Sequence, residues 1–208
     1  MSGKWVTFEG IGGSGKTTQI NILYNWLNDR KIPVVKTMEP GGTNFGQDVR
    51  NMVKTPRQPK LNPFTEFMLF EADRHETVKN VIQPSLNEGK IIISDRGIDG
   101  TCAYQGFARG INIELIDLMT HEATEGTKPN LTILLDIDPM IAQRRISKRM
   151  DTEIDQFDLE TIQFQKKVRE GFLYTAQRDK KRVHVIDATL TQQEISKKVI
   201  DLIKKFVL

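Results

Sequence analysis

Apolar, β-branched runs recur along the chain at Trp5-Val6-Thr7-Phe8, Val34-Val35-Lys36-Thr37, Ile91-Ile92-Ile93-Ser94, Leu131-Thr132-Ile133-Leu134-Leu135 and Val183-His184-Val185-Ile186. Amphipathic stretches with helical spacing separate them. Short, nearly continuous apolar strands alternating with helices predict a parallel sheet covered on both faces. Cap signals mark several helix ends. Asn62-Pro63 reads as an N-cap with Pro at the first helical position, and Gly89 closes that stretch. Pro84 inside it is expected to kink the helix or end it early. Pro139 opens a helix with Asp138 as its N-cap, and Thr191-x-x-Glu194 is a capping box. No linker, repeat or low-complexity tract interrupts the pattern. The expectation is one domain over residues 1–208, an α/β fold with a doubly wound five-stranded parallel sheet and helices on both faces. Ligands in such folds sit at the C-terminal ends of the strands.

The end of the first strand carries the strongest motif. Gly10-Ile11-Gly12-Gly13-Ser14-Gly15-Lys16-Thr17 fits G-x-x-x-x-G-K-[ST] between a strand and the helical run from Thr18 to Leu27. Glycines let successive backbone N–H groups converge on an anion, and the following helix adds its N-terminal partial charge. Lys16 then supplies a point charge for outer phosphates, and the Thr17 hydroxyl suits Mg²⁺. This stretch implies nucleotide phosphate binding.

Three other strand ends are polar. The second leads into Glu39-Pro40-Gly41-Gly42-Thr43 and a helical run containing Arg50; the third ends in Asp95-Arg96; the fourth ends in Asp136-Ile137-Asp138. An acid after an apolar strand in a phosphate-loop protein is the expected ligand of a Mg²⁺-bound water, and Arg96 offers a fork for a second phosphate. A basic run, Arg144 to Arg149, precedes the acidic stretch 150–158. Steps of four pair Arg145 with Arg149 and Arg144 with Lys148 on shared helix faces. The run is either a solvated helix face or a cationic lid, about 144–158, over a transferring phosphate.

Composition narrows the classes. With 208 residues and 38% hydrophobic content the chain can bury a sizeable core, and a net charge of +3 without a Lys/Arg block argues against a nucleic-acid stripe. The single cysteine, Cys102, leaves no intrachain disulfide framework and suits a reducing cytoplasm. The first strand begins at Trp5, which leaves no room for a signal peptide, and no apolar run approaches membrane-spanning length.

A wider set of motifs carries a family resemblance. Phe8-Glu9-Gly10 with the phosphate loop and Thr18-Gln19, Glu-Pro-Gly-Gly-Thr at 39–43, Phe70-Glu71-Ala72-Asp73-Arg74, Asp95-Arg96, Ala103-Tyr104-Gln105-Gly106, Pro129-Asn130-Leu131-Thr132 and Val168-Arg169-Glu170-Gly171-Phe172 span nearly the whole chain. Together they resemble the thymidylate kinases, nucleoside monophosphate kinases that make dTDP from dTMP and ATP. The resemblance implies that Gly10 through Thr18 bind ATP and that Thr17 and Asp95 organise Mg²⁺. It implies that Phe70 stacks on thymine, Arg74 bonds the base edge, Thr101 contacts the base and Tyr104 crowds the sugar 2′ position. Arg50 and Arg96 would hold the acceptor phosphate, with Glu39, Pro40 and Gln105 completing the acceptor site. Independently, a spacing of four puts Phe70 and Arg74 on one helix face; without the family pattern, a core Phe beside a solvent Arg paired to Glu71 is the preferred reading.

Lys16, Asp95 and Arg96 would be catalytic, joined by Arg145 and Arg149, since positions 11–14 of the loop contain no cation. The resemblance further implies a homodimer through the helices after the second and third strands, and a cytoplasmic enzyme of dTTP biosynthesis. Departures from the family pattern fall at Gly12, Met38, Gly97 and Gln156. Other readings are a kinase for another deoxynucleoside monophosphate or a deoxynucleoside, and an ATP-dependent switch with no acceptor.

Overall fold

The computed structural model describes residues 3–148, 156, 157 and 159–208. Five strands, β1 (Lys4–Glu9), β2 (Val34–Met38), β3 (Ile91–Asp95), β4 (Leu131–Asp136) and β5 (Val183–Asp187), pair in the order β2-β3-β1-β4-β5. Every pairing is parallel, with Phe8 beside both Asp95 and Ile133 in the register of the central strand. This is the α/β sheet that the alternating pattern predicts. The five apolar runs form the strands, each extending slightly beyond the run.

Side chains alternate across the sheet with a period of two. Val6, Phe8, Ile91, Ile93, Leu131 and Ile133 join one core with apolar residues of α1 (Lys16–Asn28), α8 (Ile162–Arg178) and α9 (Gln192–Phe206). Trp5 and Ile92 point the other way and pack with Val78, Ile82 and Leu86. The caps hold as the sequence predicts. Asn62 accepts from the Phe64 N–H, Asp138 from the Met140 N–H, and the Thr191–Glu194 box closes in both directions.

Two helical expectations need correction. Pro84 neither ends the helical stretch nor stands in its middle. Helix α3 (Pro63–Thr77) widens into a π-helical turn over Val78–Ile82, and α4 (Gln83–Asn87) begins anew with Pro84 in its first turn. Pro84 thus sits where the bonding changes from the π-helical to the α-helical pattern, directly after Gln83, whose N–H still reaches the Val78 carbonyl. The second correction concerns the basic run. Helix α7 (Pro139–Ile146) stops before Lys148, and Ser147 donates its hydroxyl to the Arg144 carbonyl. Arg144 and Lys148 therefore do not share a helix face. Arg149 lies outside the described residues.

The remaining helices are α2 (Asn44–Lys54), α5 (Ile98–Thr101) and α6 (Ile113–Thr124), with a second π-helical segment, Cys102–Ala108, directly after α5. Helix α8 packs on that segment at very short range. A Cβ on Gly171 would stand 2.6 Å from Ala103 Cα, so only glycine permits this approach.

Candidate active site

The loop after β1 turns on glycines with positive φ, 77° at Gly13 and 95° at Gly15, and Gly15 is the left-handed N-cap of α1. No L side chain accommodates these values cheaply. Lys16 is the first residue of α1, and its Nζ folds back to donate to the Gly10 and Ile11 carbonyls at 3.0 and 3.3 Å. Burial, reinforced by the nearby Arg96 guanidinium, pushes the Lys16 ammonium below its ordinary range. The Asp95 and Glu9 carboxylates offset that shift only in part. Thr17 donates to the Asp95 carboxylate at 3.4 Å, joining the loop to the end of β3.

Arg96 follows with φ 74°, an uncommon conformation for a side-chain-bearing residue and one that often accompanies functional sites. Its N–H donates to the Phe8 carbonyl, and its guanidinium lies 4.8 Å from the Tyr104 ring centre while donating to the Tyr104 hydroxyl at 3.0 Å. Beneath it, Glu9 is fully buried and accepts from the Gly97 and Gly100 N–H groups at 2.8 and 3.0 Å. Burial drives the Glu9 carboxyl well above the usual carboxylate range, with Arg96 opposing the shift.

A second charged cluster stands at the other end. Arg74 is 2% exposed and donates Nε to Glu39 at 2.9 Å, Nη1 to Glu71, and Nη2 to Thr101 and the Gly97 carbonyl. A guanidinium has five N–H bonds, so one on Nη1 remains for a ligand. The Glu71 pairing is therefore present, most of the donors are taken by protein partners, and one is left for the expected base-edge contact. Burial raises Glu39 to about 7 against the pull of Arg74. It raises neighbouring Asp73 to about 6, although the Gly41 N–H bonds that carboxylate.

One cavity of about 410 Å³ joins both clusters. Gly12, Gly13, Gly15, Lys16, Thr17 and Thr18 line its loop end, with Asp95 and Arg96 beside them. Glu39, Pro40, Arg50, Phe70, Arg74, Thr101, Tyr104 and Gln105 line the remainder. Arg50 donates to the Pro40 carbonyl at 2.9 Å, and Gln105 donates to Glu66 at 2.9 Å.

Several expected residues lie elsewhere. Gly10, Ile11 and Ser14 stand behind the loop; Ile11 and Ser14 are buried, and Gly10 contributes its carbonyl to Lys16. Arg145 is not part of the cavity wall. It lies near Asp187, whose carboxyl is held below the usual range by Thr189 and, more weakly, by the Arg145 charge.

Lys54, Met38, Gly97, Gly100, Phe157 and Gln165 line the cavity without having been predicted as site residues. Phe157 lies edge-on to Tyr104 at 5.6 Å and 6.1 Å from Phe70. Gln165 donates to the Phe157 carbonyl at 2.8 Å. Lys54 had a visible signal, one helical turn beyond Arg50. Phe157 falls within the expected lid segment, but nothing in the local pattern singles out either Phe157 or Gln165 as facing a ligand.

A sequence profile of the thymidylate kinase family matches residues 8–199. The chain belongs to the thymidylate kinase family. It is 44% identical to a thymidylate kinase of Sulfurihydrogenibium sp. over 203 residues, covering 98% of each chain. It is 40% identical to one from Geobacillus sp., covering 94% of this chain and 93% of that one. The crystal structure of thymidylate kinase from Ehrlichia chaffeensis superposes with a TM-score of 0.78 at 33% identity, over 98% of this chain and 99% of that one. Likeness to thymidylate kinases thus extends to the whole chain and to its fold, beyond the loop that many nucleotide-binding proteins share.

Proposed function

We propose that the protein transfers the γ-phosphoryl group of ATP to the 5′-phosphate of dTMP, giving ADP and dTDP for dTTP synthesis. The observation that carries this reading is the single cavity in which a phosphate loop and a Phe70–Arg74–Tyr104 wall face the same space. A nucleotide switch needs no second compartment, and a deoxynucleoside kinase needs no Arg50 and Arg96 for an acceptor phosphate. In the reaction an acceptor phosphate oxygen forms a bond to Pγ as the bond from Pγ to the β–γ bridging oxygen breaks, and ADP leaves with that electron pair. The protein's part is positioning and charge stabilisation.

Each side chain has a role within that scheme. The loop N–H groups and Lys16 cradle the donor phosphates. Arg50 and Arg96 hold the acceptor phosphate, Phe70 stacks on the base, and the remaining Arg74 N–H reaches its edge. Thr101 and Gln105 complete the base contacts, while Tyr104, fixed against Phe157, leaves no room at the 2′ position. Glu39 and Pro40 act chiefly by placing Arg74 and Arg50. Thr17 and Asp95, hydroxyl and carboxylate 3.4 Å apart, are hard oxygen donors that suit Mg²⁺, an ion that relies on water and substrate phosphates for its other ligands. When bound, the ion neutralises charge on the donor phosphates.

Residues 144–158 are proposed as the lid of a single domain, with Arg149 rather than Arg145 as its catalytic cation. Adjacent helices α2, α3 and α6 expose Phe45, Met52, Phe64, Met68, Leu115 and Leu118. This supports a homodimer formed by a second copy on that face, which light scattering after gel filtration tests. A buried lone thiol, and the lack among the described residues of any helix long and apolar enough to cross a membrane, fit a cytoplasmic enzyme.

The deciding experiment is coupled ADP release across a panel of nucleoside monophosphates. dTMP is expected to be the best acceptor, with dUMP about 10–200-fold poorer in kcat/KM for want of one methyl group. Equal turnover of dCMP or dGMP would overturn the thymine assignment.

A further inference from the structure

We infer that Arg109 is a positioning residue of the acceptor site, holding two cavity-lining side chains, Gln105 and Phe157, from behind. The inference deepens the acceptor half of the phosphotransfer reading above and rests on it. Arg109 caps the second π-helical segment and stands behind the cavity wall rather than in it. Its backbone N–H donates to the Tyr104 carbonyl at 3.0 Å, five residues back. The wide turn that presents Tyr104 and Gln105 to the cavity therefore ends on this residue.

The Arg109 side chain reaches in two directions. Nε and Nη2 donate to the two carboxylate oxygens of Glu66 at 3.2 and 3.1 Å, and Nη1 pairs with Glu160 at 2.8 Å. Glu66, 1% exposed on α3, also accepts from the Gln105 amide at 2.9 Å. A carboxylate paired with a guanidinium only accepts, so this bond decides which end of the Gln105 amide turns toward Glu66. Glu160 follows Phe157 by three residues and pairs with Lys60 as well, at 3.0 Å. The guanidinium lies 4.5 Å from the Phe164 ring centre and 6.0 Å from that of Phe157. Gln105 and Phe157 belong to segments that no shared helix or strand fixes relative to one another. A planar fork bonded through all three of its nitrogens does fix them.

A plainer account is that the cluster only stabilises the fold. Ion pairs in a protein interior are poor stabilisers, because desolvation offsets most of their attraction. An apolar set of the same volume would hold the fold as well. It would not orient the Gln105 amide, and it would not tie the Phe157 segment to Glu66 at a defined distance.

The test compares Arg109→Met with the wild type in steady-state kinetics, varying ATP and the acceptor that the wild type uses best, alongside thermal melts. Wild-type turnover of dTMP tests the functional reading by itself, so the two ideas fail separately. Arg109→Met should raise KM for the acceptor about tenfold, the order expected when the ligand itself must order two freed side chains. KM for ATP should stay within about twofold and kcat within about threefold, because the phosphate-binding residues share no partner with Arg109. Arg109→Met also leaves buried Glu66 without its cation and should lower Tm. A second variant therefore combines it with Glu66→Gln, which removes the stranded charge and keeps an oxygen for the Gln105 amide. The combined variant should melt above Arg109→Met yet keep the raised acceptor KM, a loss that stability alone does not explain. An unchanged acceptor KM in either folded variant would overturn the inference and leave Arg109 a residue of the fold only. So would equal rises in KM for acceptor and ATP, the mark of a general loosening of the cavity. A combined variant that is unfolded at the assay temperature would overturn it too.

Discussion

At the loop end of the cavity, the lining residues Gly12, Gly13 and Gly15 to Thr18 come from one short contiguous stretch, rich in glycine and so in exposed backbone. At the other end, Glu39, Phe70, Arg74, Thr101 and Tyr104 come from three separated segments and line the cavity together. The electrostatics differ as well. Lys16 is a cation that burial and Arg96 destabilise, whereas Arg74 is a cation held by two carboxylates. The loop end holds a cation that burial disfavours, and the Arg74 end spends its charge on holding its own shape. Substitutions at the first should therefore be read in turnover, and at the second in stability.

The largest effect expected is at Arg74. Arg74→Met leaves Glu39 and Glu71 buried without their partner, which should cost about 3–5 kcal/mol and lower Tm by about 6–20 °C. Thermal melts without nucleotide measure it, and an unchanged Tm would erase the contrast between the two ends. Lys16→Met should do the opposite. It should lower kcat about 10²–10³-fold while leaving the nucleotide-free Tm unchanged or higher, because it removes a charge that burial disfavours.

A pH series sharpens the same contrast. Glu39 is raised in the folded protein from 4.5 to about 7, so the folded state holds this proton more tightly than the unfolded chain does. Its contribution to stability is complete below about pH 4.5 and is lost as pH rises through about 7. Glu39→Gln should therefore show a smaller Tm decrease between pH 5 and 7.5 than the wild type. Asp73, raised to about 6, should leave a residual slope. Equal slopes would mean that Glu39 does not titrate in that window.

The smallest effect concerns Tyr104, whose ring and hydroxyl have separate tasks. Tyr104→Phe loses the bond from Arg96 and should raise KM for dTMP about fivefold, the equivalent of about 1 kcal/mol. Its preference for dTMP over the ribonucleotide should not change. Tyr104→Ala removes the ring as well and should narrow that preference. If Tyr104→Phe narrows it equally, the hydroxyl and not the ring reads the sugar.

The same division decided what could be read in advance. The loop motif was legible because its glycines, lysine and threonine are neighbours in sequence and each has one physical task. The five strands were legible because a parallel sheet buried on both faces demands unbroken apolar runs. Phe70 and Arg74 were legible as a pair on one helix face, but not the Glu39 carboxylate that fixes Arg74, because Glu39 stands 35 residues away. Phe157 and Gln165 became site residues only through tertiary packing. The helix expected to carry Arg145 toward the cavity ends at Ile146, and the π-helical turn that absorbs Pro84 leaves no mark in hydrophobic periodicity.

The central position of β1 has a consequence for how the protein comes into being. The strand that launches the phosphate loop is made first but cannot be flanked on both sides until β4 exists, and Thr7 meets Thr132 across 125 residues of chain. Closing so long a loop is entropically slow, which places this chain among topologies of high contact order. During synthesis the glycine-rich segment therefore emerges long before anything can hold it in shape. Its ability to capture a nucleotide is acquired late, when the middle of the sheet closes, and ligand binding then reports on completion of the core.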